Sequence, residues 1–345
     1  MHRRLDVAPM PRLNPWMVVL AVLSVLALAA LGLGLYLWSL TSPTGTGKVQ
    51  ITVERGATVS DVVRQLEAKK LIKSADVARF VFRHKRTGAK LQEGIYTLSG
   101  QESVFDLADS LAQKGQPLTV RVTFPEGRTM RDMASGLARA GFGDYAGVLA
   151  TFKDDALSPY TRGRRSLEGF LFPDTYEFRV GASPRQVVTT LLERAQKEFT
   201  PENLAKARAL GLTPYGWVTL ASMVQAEAGS AAEMPRIAGV FFNRLEIGMR
   251  LQSDPTVAYG LGIGLPELNR SRGDFEKDTP FNSYTRKGLP PTPINNPGAA
   301  ALEAVLRPVK QVNGKDALYF LHGKDGKLYV NATFDNHLCD VQRFR

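Results

Sequence analysis

Cysteine is almost missing from this chain: Cys339 is the only one in 345 residues. A single thiol excludes an intramolecular disulfide framework and any zinc site built on paired cysteines. Histidine is scarce too. His2, His84, His322 and His337 lie far apart, and no two have the short spacing of a metal-binding helix or knuckle. No bound metal and no cofactor is expected. Negative charge is in deficit, with 33 acidic against 44 basic residues. That balance favours anionic surroundings such as nucleic acid, anionic lipid or an anionic cell envelope. The 44% hydrophobic and 22% charged content is ordinary and excludes wholesale disorder. The length suits about two compact domains.

Charge is wholly absent from Trp16 to Leu40, a run of 25 residues. At about 1.5 Å per residue a helix of that length crosses a hydrocarbon core of about 30 Å. Trp16 at one end and Tyr36 and Trp38 at the other suit the two interfaces. Arg3, Arg4 and Arg12 precede the run, and the next basic residue is Lys48. The positive-inside rule therefore predicts a cytoplasmic tail over 1–15, a transmembrane helix over 16–40 and an extracytoplasmic remainder. A cleaved signal peptide would ordinarily have an apolar core of only about 7–15 residues. Setting aside residues 1–41 leaves 41 basic and 32 acidic residues outside. There, nucleic acid is excluded as a partner, and wall polymer and lipid headgroups are favoured.

Residues 41–47, TSPTGTG, read as a short flexible linker. A pattern then occurs twice, at an offset of 71. Thr52, Gly56, Thr58, Asp61 and Leu66 recur as Thr123, Gly127, Thr129, Asp132 and Leu137. Each copy predicts a strand, a glycine turn, a threonine N-cap and an amphipathic helix. Asp61 and Asp132 stand where a capping box has its acid. This unit resembles the LysM wall-binding module, while a plain βα unit without ligand reads equally well. With the short strand 94–98 and a helix over 104–111 it predicts a small α+β domain at 48–115. A larger α+β domain follows over 118–345.

The candidate chemistry lies in this second domain. A helix over 214–228 is predicted, with Thr213 as N-cap, Pro214 at its first position and Gly229 past its end. Leu220, Met223 and Val224 share a face with Glu227. That carboxyl would emerge from the apolar side in the last turn, where burial and the helix dipole both raise a carboxyl pKa. Such a group suits a general acid for a glycosidic oxygen. A Glu227 turned to solvent, or paired with Arg236 or Arg244, is the alternative. Asp254 before Pro255 reads as an N-cap, Glu168 as a turn-orienting residue and Asp174 as a turn residue.

Together LEGFLFPDTY (167–176), LASMVQAE (220–227), AGVFFNRLEIGMRLQSDPTVAY (238–259), FNSY (281–284) and GLPP (288–291) resemble the YceG-like (MltG) family of membrane-anchored endolytic murein transglycosylases. The resemblance covers essentially the whole chain. It implies cleavage between MurNAc and GlcNAc within nascent peptidoglycan strands, leaving 1,6-anhydro ends and terminating elongation. It implies Glu227 as catalytic acid/base, with Asn243, Gln252, Asp254, Thr256, Tyr259, Asn282, Tyr284 and Glu168 as substrate-binding candidates. Its implied partners are glycan strands, membrane lipid through the N-terminal helix, and peptidoglycan synthases or division proteins. Where the family carries a first acid, this chain has Gln225. Its C-terminal G-x-H-x-F pattern stands here as Gly326-Lys327-Leu328-Tyr329, so no histidine role carries over. A non-catalytic wall-binding or division scaffold is the competing reading.

Overall fold

The computed structural model describes residues 15–54, 56–113 and 115–345. The expected cytoplasmic tail, with Arg3, Arg4 and Arg12, lies outside the described residues except for Pro15. The first helix, α1 (Pro15–Thr41), is apolar throughout and buries none of its span in protein. Its length and composition fit a membrane crossing. The remainder divides into two compact units between Leu118 and Thr119.

In the first unit, β1 (Lys48–Val53) leads to α2 (Val59–Ala68), α3 (Ala75–His84) and the single turn α4 (Thr87–Lys90). Then come β2 (Gly94–Ser99) and α5 (Val104–Ala112). β1 and β2 pair antiparallel, from Lys48 opposite Ser99 to Val53 opposite Gly94. Alternation sends Ile51, Val53, Tyr96 and Leu98 inward against Val63, Leu66, Phe82, Leu107 and Leu111. Phe80-Val81-Phe82 belongs to a helix, and only Val81 and Phe82 reach the core. The linker is less free than its composition suggests. Thr44 and Gly45 N–H both donate to Gly100 O at 2.8 Å, and Thr46 Oγ1 donates to Lys70 O at 2.8 Å.

The second unit opens with β3 (Thr119–Thr123), α6 (Met130–Arg139), α7 (Tyr145–Phe152) and β4 (Thr175–Arg179). β3 and β4 pair antiparallel, Thr123 opposite Thr175. Both copies of the repeated pattern form the same local structure. Gly56 and Gly127 take left-handed φ of 80° and 76°, and Thr58 and Thr129 close reciprocal capping boxes with Asp61 and Asp132. Helices α8 (Pro184–Gln196), α9 (Pro201–Ala209), α10 (Pro214–Glu227), α11 (Met234–Glu246), α12 (Asp254–Leu261) and α13 (Ala299–Leu306) follow. Two short hairpins, β5 (Gln311–Val312) with β6 (Lys315–Asp316) and β7 (Tyr319–His322) with β8 (Leu328–Asn331), precede α14 (Phe334–Phe344).

α10 is the axis of the larger core. Trp217 to Val224 are all buried, packed against α11 and α13. The helix is therefore apolar on every side rather than on one face, as a central helix should be. Two of its buried polar groups are tied to α13 and the segment before it: Trp217 Nε1 donates to Leu302 O, and Ser222 Oγ accepts from Ile294 N. Gly239 lets the chain after α13 lie directly on α11, because a Cβ there would stand 1.9 Å from Val309 O.

Candidate active site

Thr213 Oγ1 caps the start of α10 by accepting from Gly216 N at 3.0 Å. At the other end Ala228 turns extended, and Gly229 has no left-handed φ. The expected glycine cap is absent, and the Gly229 amide is taken by a side chain instead. Glu233 Oε2 accepts from Gly229 N at 2.9 Å and meets His322 Nε2 at 3.1 Å. Although burial opposes it, the His322 ring and the Gly229 N–H hold the Glu233 carboxyl below its usual range.

Glu227, the last residue of α10, is half-buried, with its carboxyl enclosed by protein groups. Ser253 Oγ donates to its Oε1 at 2.5 Å. Burial pushes the carboxyl from the ordinary 4.5 up to about 7. The Ser253 bond opposes the rise, the charge of Asp254 adds to it, and His322 and Arg244 oppose it weakly. A carboxyl at about 7 is part protonated and part ionised at neutral pH, so one group can give and retake a proton.

The Ser253 segment is held from two directions. Gln252 N donates to Ser283 O at 3.1 Å, and Ser253 N donates to Ser283 Oγ at 2.9 Å. Arg244 reaches under it, donating to Leu251 O at 2.8 Å and Leu318 O at 2.6 Å. These bonds fix Gln252 in a left-handed conformation, φ 52°, that a non-glycine residue adopts only when its surroundings impose it. Asp254 is not an N-cap. It is the first residue of α12 and accepts from Tyr284 Oη at 2.5 Å, while Ser253 occupies the cap position. Thr256 is buried, its hydroxyl bonded to Ser253 O and Ser283 Oγ. Beside Ser283 opens a cavity of about 300 Å³, lined among others by Phe281, Arg286, Lys287 and Leu289.

The remaining candidates stand elsewhere. Asn243 is buried and clips Lys310 O and Ala317 O. Asn282 is buried and binds Phe275 O, Lys277 O and Tyr284 N, which shapes the loop presenting Ser283. Glu168 is 1% exposed and forms a second polar centre. It accepts from Met130 N at 2.8 Å, Asn296 Nδ2 at 2.9 Å and Tyr259 Oη at 2.9 Å. Burial pushes it to about 8, against the pull of the Met130 and Tyr259 donors. It satisfies the first orphan amide of α6, and Tyr259 serves it rather than Glu227. Asn296 also accepts from Gly169 N and Leu171 N and donates to Arg128 O. Gln225 Oε1 accepts from Gly298 N at 3.0 Å, a bond that its amide makes as well as a carboxylate would.

Thus Glu227, Asp254, Tyr284 and Gln252 come together, with Thr256 behind them. Ser253, His322 and Glu233 were not among the sequence candidates. The serine lies inside the QSDPT stretch, but its bond to Glu227 spans 26 residues and has no local signature.

A family model described as YceG-like matches residues 51–343. The endolytic murein transglycosylase of Bacillus subtilis strain 168 is 27% identical over 304 residues, covering 84% of this chain and 82% of that protein. A protein of the same name from Streptococcus pneumoniae serotype 2 is 28% identical over 320 residues. The match takes in 84% of this chain but 57% of that longer relative. A crystal structure of a YceG-like protein from Listeria monocytogenes superposes with a TM-score of 0.56 at 29% identity, covering 85% of this chain and 98% of that one.

Proposed function

Taking as premise that this chain belongs to the YceG-like family, we propose that it is a lytic transglycosylase of peptidoglycan. It cuts the MurNAc–GlcNAc bond within nascent glycan strands and so ends their elongation. The observation that supports this is the enclosed Glu227 carboxyl, raised to about 7 and oriented by Ser253.

Ordinary glycosidases divide acid and nucleophile between two carboxyls. Here one carboxyl suffices, because the nucleophile belongs to the sugar. Glu227 protonates the bridging oxygen as the bond from MurNAc C1 breaks, and the electron pair leaves with the GlcNAc oxygen. The MurNAc 6-hydroxyl oxygen closes on C1, and its proton passes to the Glu227 carboxylate. No water is consumed, the product is a 1,6-anhydro end, and the enzyme regains its starting protonation state. With Ser253 on Oε1, Oε2 carries the travelling proton. The Asp254 carboxylate, held by Tyr284, faces the positive charge that develops at C1. Lys287 in the adjoining cavity supplies positive charge for the strand's lactyl or peptide carboxylates, while Arg286 is paired with Asp278.

The first unit holds the strand, α1 anchors the protein in the cytoplasmic membrane with its N-terminus inside, and synthases or division proteins are its natural partners. The test is digestion of purified glycan strands by the full chain, read by product mass. Anhydro ends, lighter by one water than reducing ends, support the reading. Reducing ends refute it, and a folded protein that releases nothing is a scaffold.

A further inference from the structure

The junction of α1 with the first unit leaves little slack. The linker bonds to Gly100 and Lys70, Lys73 Nζ donates to Ser39 O at 3.0 Å, and α3 packs against α1. A bilayer that takes up α1 therefore has its surface beside α3. Residues 73–90 hold Lys73, Arg79, Arg83, Lys85, Arg86 and Lys90 against the single acid Asp76. Arg79 is bonded to Asp76 at 2.8 Å, and Lys85 to Asp109. Among the described residues Arg83 and Arg86 have no ion-pair partner, and the enclosed Arg79 Nε has no acceptor. These three arginines line one cavity of about 270 Å³, closed by Phe82, Val59 and Ser60. Next to it Phe80 is 71% exposed, its ring stacked on His84 at 6.4 Å.

Guanidinium forks fit phosphate oxygens two at a time. An exposed aromatic beside them suits the boundary between headgroups and acyl chains. We propose that this face of α3 and α4 binds the phosphate of anionic lipid headgroups in the leaflet where α1 ends, with Phe80 inserted beside them. The contact fixes the first unit flat against the membrane rather than letting it swing on a tether. It does not depend on the catalytic reading.

The experiment uses the full chain in nanodiscs of phosphatidylcholine alone or with added phosphatidylglycerol, followed by amide hydrogen exchange. Residues 73–90 should exchange more slowly in the anionic discs, and salt should remove the protection. Arg83→Gln and Arg86→Gln should each reduce it about fivefold, the usual worth of one basic side chain near an anionic leaflet. Equal exchange in both discs overturns the proposal. So does protection in neutral discs produced by inorganic phosphate, which marks a free-anion site, or by soluble wall fragments, which marks a wall-polymer site. Unfolding would show as lost protection at Val62–Leu66 and Leu107–Leu111. In that event Phe80→Ser, which alters only the exposed face, decides: unchanged protection in anionic discs sinks the lipid contact.

Discussion

Replacing Glu227 by Gln removes one proton-carrying group and little else. The amide keeps an acceptor for Ser253 Oγ. A carboxyl whose folded value lies above its unfolded value binds its proton more tightly in the native state. Its penalty on stability is absent below about pH 4.5, grows between 4.5 and 7, and is complete above 7. Moving a carboxyl from 4.5 to about 7 is worth about 3 kcal/mol. At pH 8 the variant should therefore be more stable than the parent by up to about 3 kcal/mol, or up to roughly 10 °C in Tm. Below pH 4.5 the two should coincide. Activity should fall by at least about 10²–10⁴-fold, the usual share of general acid–base catalysis. In the parent, turnover should decline as pH rises through about 7, where the acid form is lost. The assay pairs thermal unfolding from pH 4 to 9 with anhydro-product formation. A stability difference that stays constant across that range would show that Glu227 is not the perturbed carboxyl. Near-normal turnover by the folded variant would remove it from the chemistry.

Ser253→Ala and Asp254→Asn should move the alkaline limb of the rate profile in opposite directions. The first deletes a bond that lowers the Glu227 value, so the limb moves to higher pH; the second deletes a charge that raises it, so the limb moves to lower pH. Shifts of the same sign, seen in pH–rate curves, would contradict that assignment. Glu168→Ala strips acceptors from one buried and two partly buried donors and should destabilise the second unit by about 3 kcal/mol, visible in denaturant unfolding. A marginal loss there would mean that Glu168 is not structural. Gly239→Ala improves helix propensity by up to about 1 kcal/mol but drives a methyl against Val309 O. Calorimetry should show a net loss of about 1–3 kcal/mol.

Local chemistry was legible in the sequence, and distant partnership was not. Thr58, Thr129 and Thr213 announced their helix starts because a cap and its amide lie three residues apart. Glu227 stood out because burial of Leu220, Met223 and Val224 follows from composition. Asp254 was misread because Asp-Pro suits a cap, while its real partner, Tyr284, lies 30 residues on. Gly229 was misread because its amide goes forward to Glu233 rather than back to a helix carbonyl, as that of a left-handed glycine would. The linker looked free because its bonds to Gly100 and Lys70 cross more than twenty residues.

Asn296 sets an order on the birth of the molecule. Its backbone and side chain complete the surroundings of Gly127, Arg128, Glu168, Gly169 and Leu171, some 125 to 169 residues earlier. The first unit closes its β1–β2 pairing within residues 48–99 and adds the Ile95–Gln116 bridge soon after, so it can fold while the rest is still emerging. The second cannot complete the bonding of its buried Glu168 until Asn296 has been synthesised and delivered. Long-range closure of this kind slows folding. Leu167 and Leu171 find their core among residues 124–191, whereas Phe170 and Phe172 belong to the core around α10, α11 and α13 and wait for it, so one half of the second unit can be closed while the other is still open.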